Sequence, residues 1–239
     1  MTLVLRVELE PGFILHHRPF RDTSLLLEVF SRDHGRVGMV ARGARGPRSR
    51  LRGLLQPFRP LLLSWQLRGE LGTLTAAEAA GPVPPPPTGG ETLLGLYYLN
   101  ELLLRLTARL DPHPDLYQLY AATFADITGA APLAPALRRF ERRLLDALGY
   151  GPDLVRDAAG QAIDAAASYR YDPALGLAAC RADAGGALLG ASVLALAEDR
   201  LADARALADA RRLLRAALDV HLDGRPLKSR ELLGRLRRG

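Results

Sequence analysis

The sequence predicts an α+β protein of more than one domain, an all-β N-terminal domain followed by a mostly α-helical one. Three observations lead there. The first 80 residues carry short apolar runs separated by turns, residues 81–90 read GPVPPPPTGG, and from residue 91 onward the apolar residues recur with a helical period.

In the first part the runs are LVLRVEL, GFILHHR, SLLLEVFS, RVGMVARG, FRPLLLSWQL and GTLTAAE. Turn signals arrive roughly every 8 to 12 residues, the spacing of a small barrel or sandwich. The prolines of 81–90 supply no amide donors and favour polyproline geometry, so neither a ladder nor a helix continues through them and a linker is expected. Residues 92–110 are apolar nearly all round, the mark of a buried central helix. Further helices are expected over 114–128 and 135–148, the second stopped by Gly149 and Gly151 around Tyr150. SYRYD, a PALG turn and LAACRAD make a small hairpin of 153–186; helical pattern resumes over 188–221 and ends in a short helix over 229–237. The expected division is therefore 1–80, a linker at 81–90, and 91–239.

Composition excludes several classes. With 48% hydrophobic residues and a mean hydropathy near zero, 239 residues can bury a core without cross-links. No apolar run approaches the roughly 18 residues of a membrane span, and MTLVLRVELEPGF lacks the charged-then-apolar pattern of a leader, so a cytoplasmic protein is expected. Cys180 is the sole cysteine, which removes intramolecular disulfides and cysteine-built zinc sites. The histidines (16, 17, 34, 113 and 221) fall in no H-E-x-x-H spacing, there is no G-x-S-x-G elbow or Walker loop, and Asp199 with Asp203 reads as solvated surface charge. Neither catalysis nor a cofactor is expected.

The placement of charge is more telling than the net +6. Between Asp33 and Glu70 there is no acidic residue, while Arg36, Arg42, Arg45, Arg48, Arg50, Arg52, Arg59 and Arg68 fall in the gap. One-sign density of this kind attracts a polyanion, because each neutralised phosphate releases counterions. Within ARGARGPRSRLRGLLQPF, Gly43, Gly46 and Gly53 allow close backbone approach, and guanidinium forks match phosphate oxygens. The bland alternative is a charged loop that serves only solubility. Phe13, Phe20, Phe30, Phe58 and Trp65 are candidate base-stacking residues, Trp65 foremost because Ser64 and Gln66 flank it, although most aromatics of a small barrel fill its interior. Farther on, Arg138, Arg139, Arg142 and Arg143 border the apolar stripe of Leu137, Phe140, Leu144, Leu145 and Leu148. That is either a groove for an acidic peptide with an apolar end or an ordinary amphipathic helix. Arg225, Lys228, Arg230, Arg235, Arg237 and Arg238 add a cationic C-terminus.

Five blocks in order, RPFRDTSLLLEVFSRDHGRV, VARGARGPRSRLRGLLQPFRPLLL, GLYYLNELLLRL, PALRRFERRLLDALGYG and GRPLKSREL, resemble the bacterial recombination mediator family RecO across essentially the whole chain. The resemblance implies an OB-fold barrel joined to a helical domain, acting without catalysis near the nucleoid. It implies binding of single- and double-stranded DNA, annealing of complementary strands, engagement of the acidic tail of single-stranded-DNA-binding protein, pairing with RecR and help in loading RecA. On this carry-over Arg42, Arg45, Arg48, Arg50 and Arg52, with Arg36 beside them, are DNA-binding candidates, and Arg138, Arg139, Arg142 and Leu148 lie at the peptide pocket. Many members carry a four-cysteine zinc module where this chain has LVRDAAGQAI and GLAACRAD. With Cys180 alone, 153–186 is a degenerate form of that module, held by packing as in the family's zinc-free branch. Two competing readings are an OB-fold RNA-binding factor, since deoxyribose and ribose are not distinguished by these residues, and a phosphotransfer or nuclease enzyme with unrecognised carboxylates.

Overall fold

A computed structural model describes residues 4–81, 89–129, 131–222 and 224–236. By its internal contacts the chain forms two compact units, Met1–Phe124 with Leu232–Gly239, and Ala125–Glu231.

In the first unit β1 (Leu5–Phe20), β2 (Ser24–Ser31), β3 (Gly35–Ala41), β4 (Pro60–Arg68) and β5 (Leu71–Ala79) close a barrel in the order β1-β2-β3-β5-β4. All pairings are antiparallel except β3 with β5, which run parallel at Gly38–Val40 and Leu71–Thr73. This is the OB topology. Alternation along the strands sends Ile14, Leu27, Val29, Val37, Met39, Leu61, Leu63 and Trp65 inward, all essentially without solvent exposure. LVLRVEL and GFILHHR, expected as separate strands, are one 16-residue strand. Their junction makes a bulge instead of a turn: Leu9, the last residue of the first run, adopts φ 51°, and its amide donates to Ser64 Oγ at 3.0 Å where the register with β4 shifts.

Two helices of the same unit lie against the barrel wall: α2 (Gly90–Leu106) and α3 (Pro114–Thr128), the latter passing out of the unit at Phe124. Phe13 and Phe30 point outward from β1 and β2 and are buried beneath α3. Phe13 lies 5.0 to 5.8 Å from the rings of Tyr117, Tyr120 and Phe124, and Phe30 lies 5.9 and 6.3 Å from those of Tyr117 and Tyr120. A second bulge in β1 fixes the register of this packing. Pairing with β2 passes from Ile14↔Val29 to His16↔Glu28, leaving Leu15 as the extra residue. Its carbonyl accepts from Asn100 Nδ2 of α2 at 2.8 Å, and Asn100 Oδ1 accepts from the Tyr120 hydroxyl of α3 at 2.6 Å. Burial raises the phenol pKa of Tyr120, which stays a neutral donor, and pushes that of Tyr117 up to about 12 with help from the Glu10 charge.

The loop between α2 and α3 is fixed as well. Leu110 N donates to the Arg36 carbonyl at 2.9 Å, and Glu28 is clamped between Arg36 (3.1 Å) and Arg109. Gly35, at φ 64°, admits this loop: a Cβ there would stand 2.0 Å from the Asp111 carbonyl oxygen.

The second unit contains α4 (Leu133–Ala147), a sheet of β6 (Ser168–Asp172), β7 (Gly176–Cys180) and β8 (Leu188–Leu189), then α5 (Gly190–Ala197) and α6 (Ala204–Val220). The helical pattern expected over 188–221 forms two helices: between them Asp199 takes a left-handed φ of 56°, and Asp203 caps α6 by accepting from Ala206 N at 2.8 Å. α7 (Lys228–Leu236) begins in this unit and ends in the first. The expected hairpin of 153–186 is β6 and β7, with β8 added beyond the expected bound. Its interior is Leu154, Ile163, Tyr169, Leu177 and Leu188, and its turns are closed by carboxylates. Asp153, Asp157, Asp164 and Asp172 each accept backbone amide hydrogens within two to four residues.

The expected division at 81–90 marks the change from strand to helix. The compact units divide instead at Phe124, because α2 and most of α3 bury their apolar faces on the barrel. Residues 82–88 of that linker, with Asp223, Arg237 and Arg238, lie outside the described residues.

Asn100→Ala leaves the bulge carbonyl and the Tyr120 hydroxyl unmet. It should cost about 2 to 4 kcal/mol in denaturant unfolding, whereas Tyr120→Phe should cost about 1 to 2, with the double variant well short of the sum.

Candidate nucleic-acid interface

The charge of the chain is divided unequally between the units. The first holds seventeen basic and eleven acidic residues, the second fifteen of each, so the whole +6 belongs to the barrel unit.

Within that unit the β3–β4 connection, residues 42–59, concentrates it. Ala44 and Leu55 are fully buried against the barrel core, Leu51 and Leu54 pack partly against it, and a single helical turn, α1 (Leu51–Leu54), sits between. The near end is tied to the β1–β2 turn. Arg45 N donates to the Thr23 carbonyl at 2.8 Å, and Arg45 Nη1 reaches the carbonyls of Arg21 and Asp22 at 3.4 and 3.3 Å. At the far end Gln56 Nε2 donates to the Arg52 carbonyl at 3.0 Å, its side chain bonds His17 of β1, and Arg59 Nη1 donates to the Gly53 carbonyl at 2.8 Å. His17 has its pKa lowered by burial and by neighbouring His16, against the Gln56 bond, and so adds no charge near neutrality.

With its apolar residues inward, the loop turns its arginines outward. Arg42, Arg45, Arg48, Arg50 and Arg52 are exposed, and among the described residues none of them forms an ion pair. Gly43, at φ 67° and with open space where a Cβ would stand, makes the turn that brings Ala44 back to the core. The sixth candidate, Arg36, is placed elsewhere. Its side chain is 16% exposed, and its guanidinium is committed to Glu28 and to the Thr107 carbonyl at 2.9 Å, so it serves the barrel wall rather than the loop. Residues not singled out from sequence complete the ridge: Arg21, from the turn that holds Arg45, lies over the Phe20 ring at 5.3 Å. The dipeptide FR ahead of a short turn was the available signal.

The aromatic candidates divide sharply. Phe13, Phe30, Phe58 and Trp65 are buried, and Phe20 is half-buried. Trp65, the foremost stacking candidate although alternation left its face undecided, points into the barrel at a register shift between Ser64 and itself.

In the second unit Arg138 and Arg142, one turn apart on α4, are 12% and 16% exposed at their side chains, and Arg139 is 39% exposed. Each meets an acid: Arg138 with buried Glu141 at 2.5 Å, Arg139 with Asp126 at 3.5 Å, Arg142 with Asp146 at 3.0 Å and Asp199 at 3.2 Å. Arg143, more exposed than these, shares Asp199 at 2.7 Å. Leu148 is half-buried at the α4 C-terminus, its amide donating to the Leu144 carbonyl. Asp199, reached only because its left-handed backbone folds the α5–α6 turn toward α4, is the residue that sequence reading misassigned as solvated charge. Burial would raise its carboxyl pKa, but the hydrogen bonds and charges of Arg143 and Arg142 outweigh that and hold it below the ordinary value. Asp146 is raised by burial despite the same arginines.

Metal donors do not fit here. Cys180 is the only thiol, and among the described residues no three His, Cys, Asp or Glu side chains converge. No helix of the described residues is long and apolar enough to cross a membrane.

These features define a class: an OB-barrel protein with an arginine loop and an attached helical domain. The family profile of Recombination protein O N terminal matches residues 5–83 and that of Recombination protein O C terminal matches 88–231. The chain is 49% identical to DNA repair protein RecO of Alkalilimnicola ehrlichii, covering 98% of this chain and 93% of the relative. It is 47% identical to that of Nitrosococcus oceani (98% and 96%) and 46% identical to that of Xanthomonas euvesicatoria (97% and 98%). The chain belongs to the RecO family of DNA repair and recombination proteins.

Asp199→Asn should lower stability by about 1 to 3 kcal/mol at pH 7. Because the folded carboxyl titrates below the unfolded one, its contribution is complete above about pH 4 and is lost as pH falls through the folded value. Denaturant midpoints of the two proteins should therefore converge in acid.

Proposed function

We propose that this protein is a non-enzymatic recombination mediator of the cytoplasm. It binds single- and double-stranded DNA through the barrel loop and anneals complementary strands. The observation that carries the reading is the unneutralised row of Arg42, Arg45, Arg48, Arg50 and Arg52 on a loop tied to the β1–β2 turn through Arg45 and seated on the barrel core through Ala44 and Leu55, in a unit that holds the whole net charge. A polyanion is what such a surface attracts, and one cationic surface shared by two strands lowers their mutual repulsion.

The helical unit, being neutral, suits a protein partner better than DNA. In the mediator reading, the α4 row of Arg138, Arg139 and Arg142 beside Leu148 receives the acidic C-terminal tail of single-stranded-DNA-binding protein, whose carboxylates compete with Asp126, Asp146 and Asp199 for the guanidinium groups. Pairing with RecR and delivery of RecA complete this reading through the family resemblance.

Fluorescence polarisation of a labelled single strand should give a log-log salt slope of about −3.5 if five loop arginines meet phosphates, and Arg48→Glu with Arg50→Glu should flatten the slope by at least about 1.4. A tail peptide should bind wild type and lose affinity with Arg139→Glu. A DNA affinity that is insensitive to the loop variants, or equally tight binding of matched RNA in competition, would displace the DNA-mediator reading.

A further inference from the structure

We infer that Tyr97 is a base-stacking platform that gives the arginine loop a specific contact with unpaired nucleic acid; this rests on the reading of that loop as a phosphate-binding surface. Phosphate contacts alone give no positive selection for a single strand over a duplex, because both present a phosphate backbone and the duplex carries the higher charge density. Discrimination needs a flat surface open to an unstacked base. Four of the five aromatic candidates of the barrel are buried in its interior, in the packing of α3 or at the loop's end, so they offer no such surface.

Tyr97 does. It lies on α2 between Leu96 and Tyr98, both buried, and it keeps 44% of its surface in solvent. Its ring is held by Phe58, the residue at which the arginine loop returns to β4: the centroids are 4.9 Å apart and the planes cross at 77°. Phe58 is buried and adopts φ 64°, a backbone conformation that costs about 1 to 3 kcal/mol for a residue with a side chain. The strain places an aromatic side chain as a bracket under an exposed one. The adjacent residue, Arg59, is tied to Gly53 within the loop, so the bracket and the arginine row are one connected piece.

The loop thus runs between two rings, Phe20 under Arg21 at its β1–β2 end and Tyr97 against Phe58 at its β4 end. A strand whose phosphates follow Arg42 to Arg52 would reach the Tyr97 ring with its bases, and a duplex, whose bases are already stacked on each other, would not use it.

The test compares oligothymidine with a duplex of equal length, using the full chain. Tyr97→Ala should weaken single-strand binding about five- to one-hundred-fold and leave duplex binding within about twofold of wild type, and Tyr97→Phe should behave as wild type. As an independent readout, Tyr97→Trp places an indole at the site. Its fluorescence should be quenched by oligothymidine and not by duplex, while fully buried Trp65 supplies a constant background. Single-strand affinity unchanged by Tyr97→Ala, equal losses on both ligands, or an indole that does not respond would each overturn the inference while leaving the loop's role intact. Wild type binding neither ligand would overturn the loop reading as well.

Discussion

The hydrogen bond from Asn100 to the Leu15 carbonyl is the constraint on which the first unit depends. A bulge in β1 frees that carbonyl from the ladder, and a buried, unmet acceptor on a barrel wall is not tolerated. Asn100 meets it with its amide nitrogen and passes its oxygen to Tyr120, so one backbone irregularity specifies the register of two helices. The aromatic layer of Phe13, Phe30, Tyr117, Tyr120 and Phe124 supplies the area, and the polar relay within it supplies the direction. With α2 fixed in this way, Tyr97 is presented to Phe58 and so to the end of the arginine loop.

The same economy governs charge. In the second unit basic residues are as numerous as carboxylates, and those of α4 are met by them, with Asp199 joining the α5–α6 turn to α4 through Arg142 and Arg143. In the first unit the structural arginines, Arg36 and Arg109, share Glu28, while those on the β3–β4 loop meet no acid among the described residues. Two arginines of similar sequence context thus have opposite fates, and the difference is the presence of a carboxylate across the ladder.

This explains what could be read from the chain. Strand and helix types followed from periodicity, and the bounds of α3 agree with the expected 114–128, because Pro114 and the glycine after Thr128 punctuate it. The arginine loop was legible because a gap between Asp33 and Glu70 is a linear feature. Arg36 was misgrouped because its partners, Glu28 and Thr107, are set by cross-strand pairing and by a helix terminus seventy residues away. The face of Trp65 was not legible because register shifts reset which face of β4 looks inward, and Asp199 was misread because a single left-handed residue redirects it. Tyr97 carries no sequence signal at all: it is one of two adjacent tyrosines in an apolar helix, and only packing says which of them meets solvent.

The small lobe of 153–186 closes its turns with aspartates. A thiolate cluster fails when it is oxidised or when its metal is withdrawn. A carboxylate that accepts amide hydrogens is indifferent to both and answers to protons instead. The Asp153 carboxyl is held below its ordinary pKa by the amides of Val155 and Arg156, so its turn persists at neutrality and loosens only as pH falls through that lowered value. The architecture of this lobe therefore depends on neither bound zinc nor a thiolate cluster, and its integrity is set by folding alone.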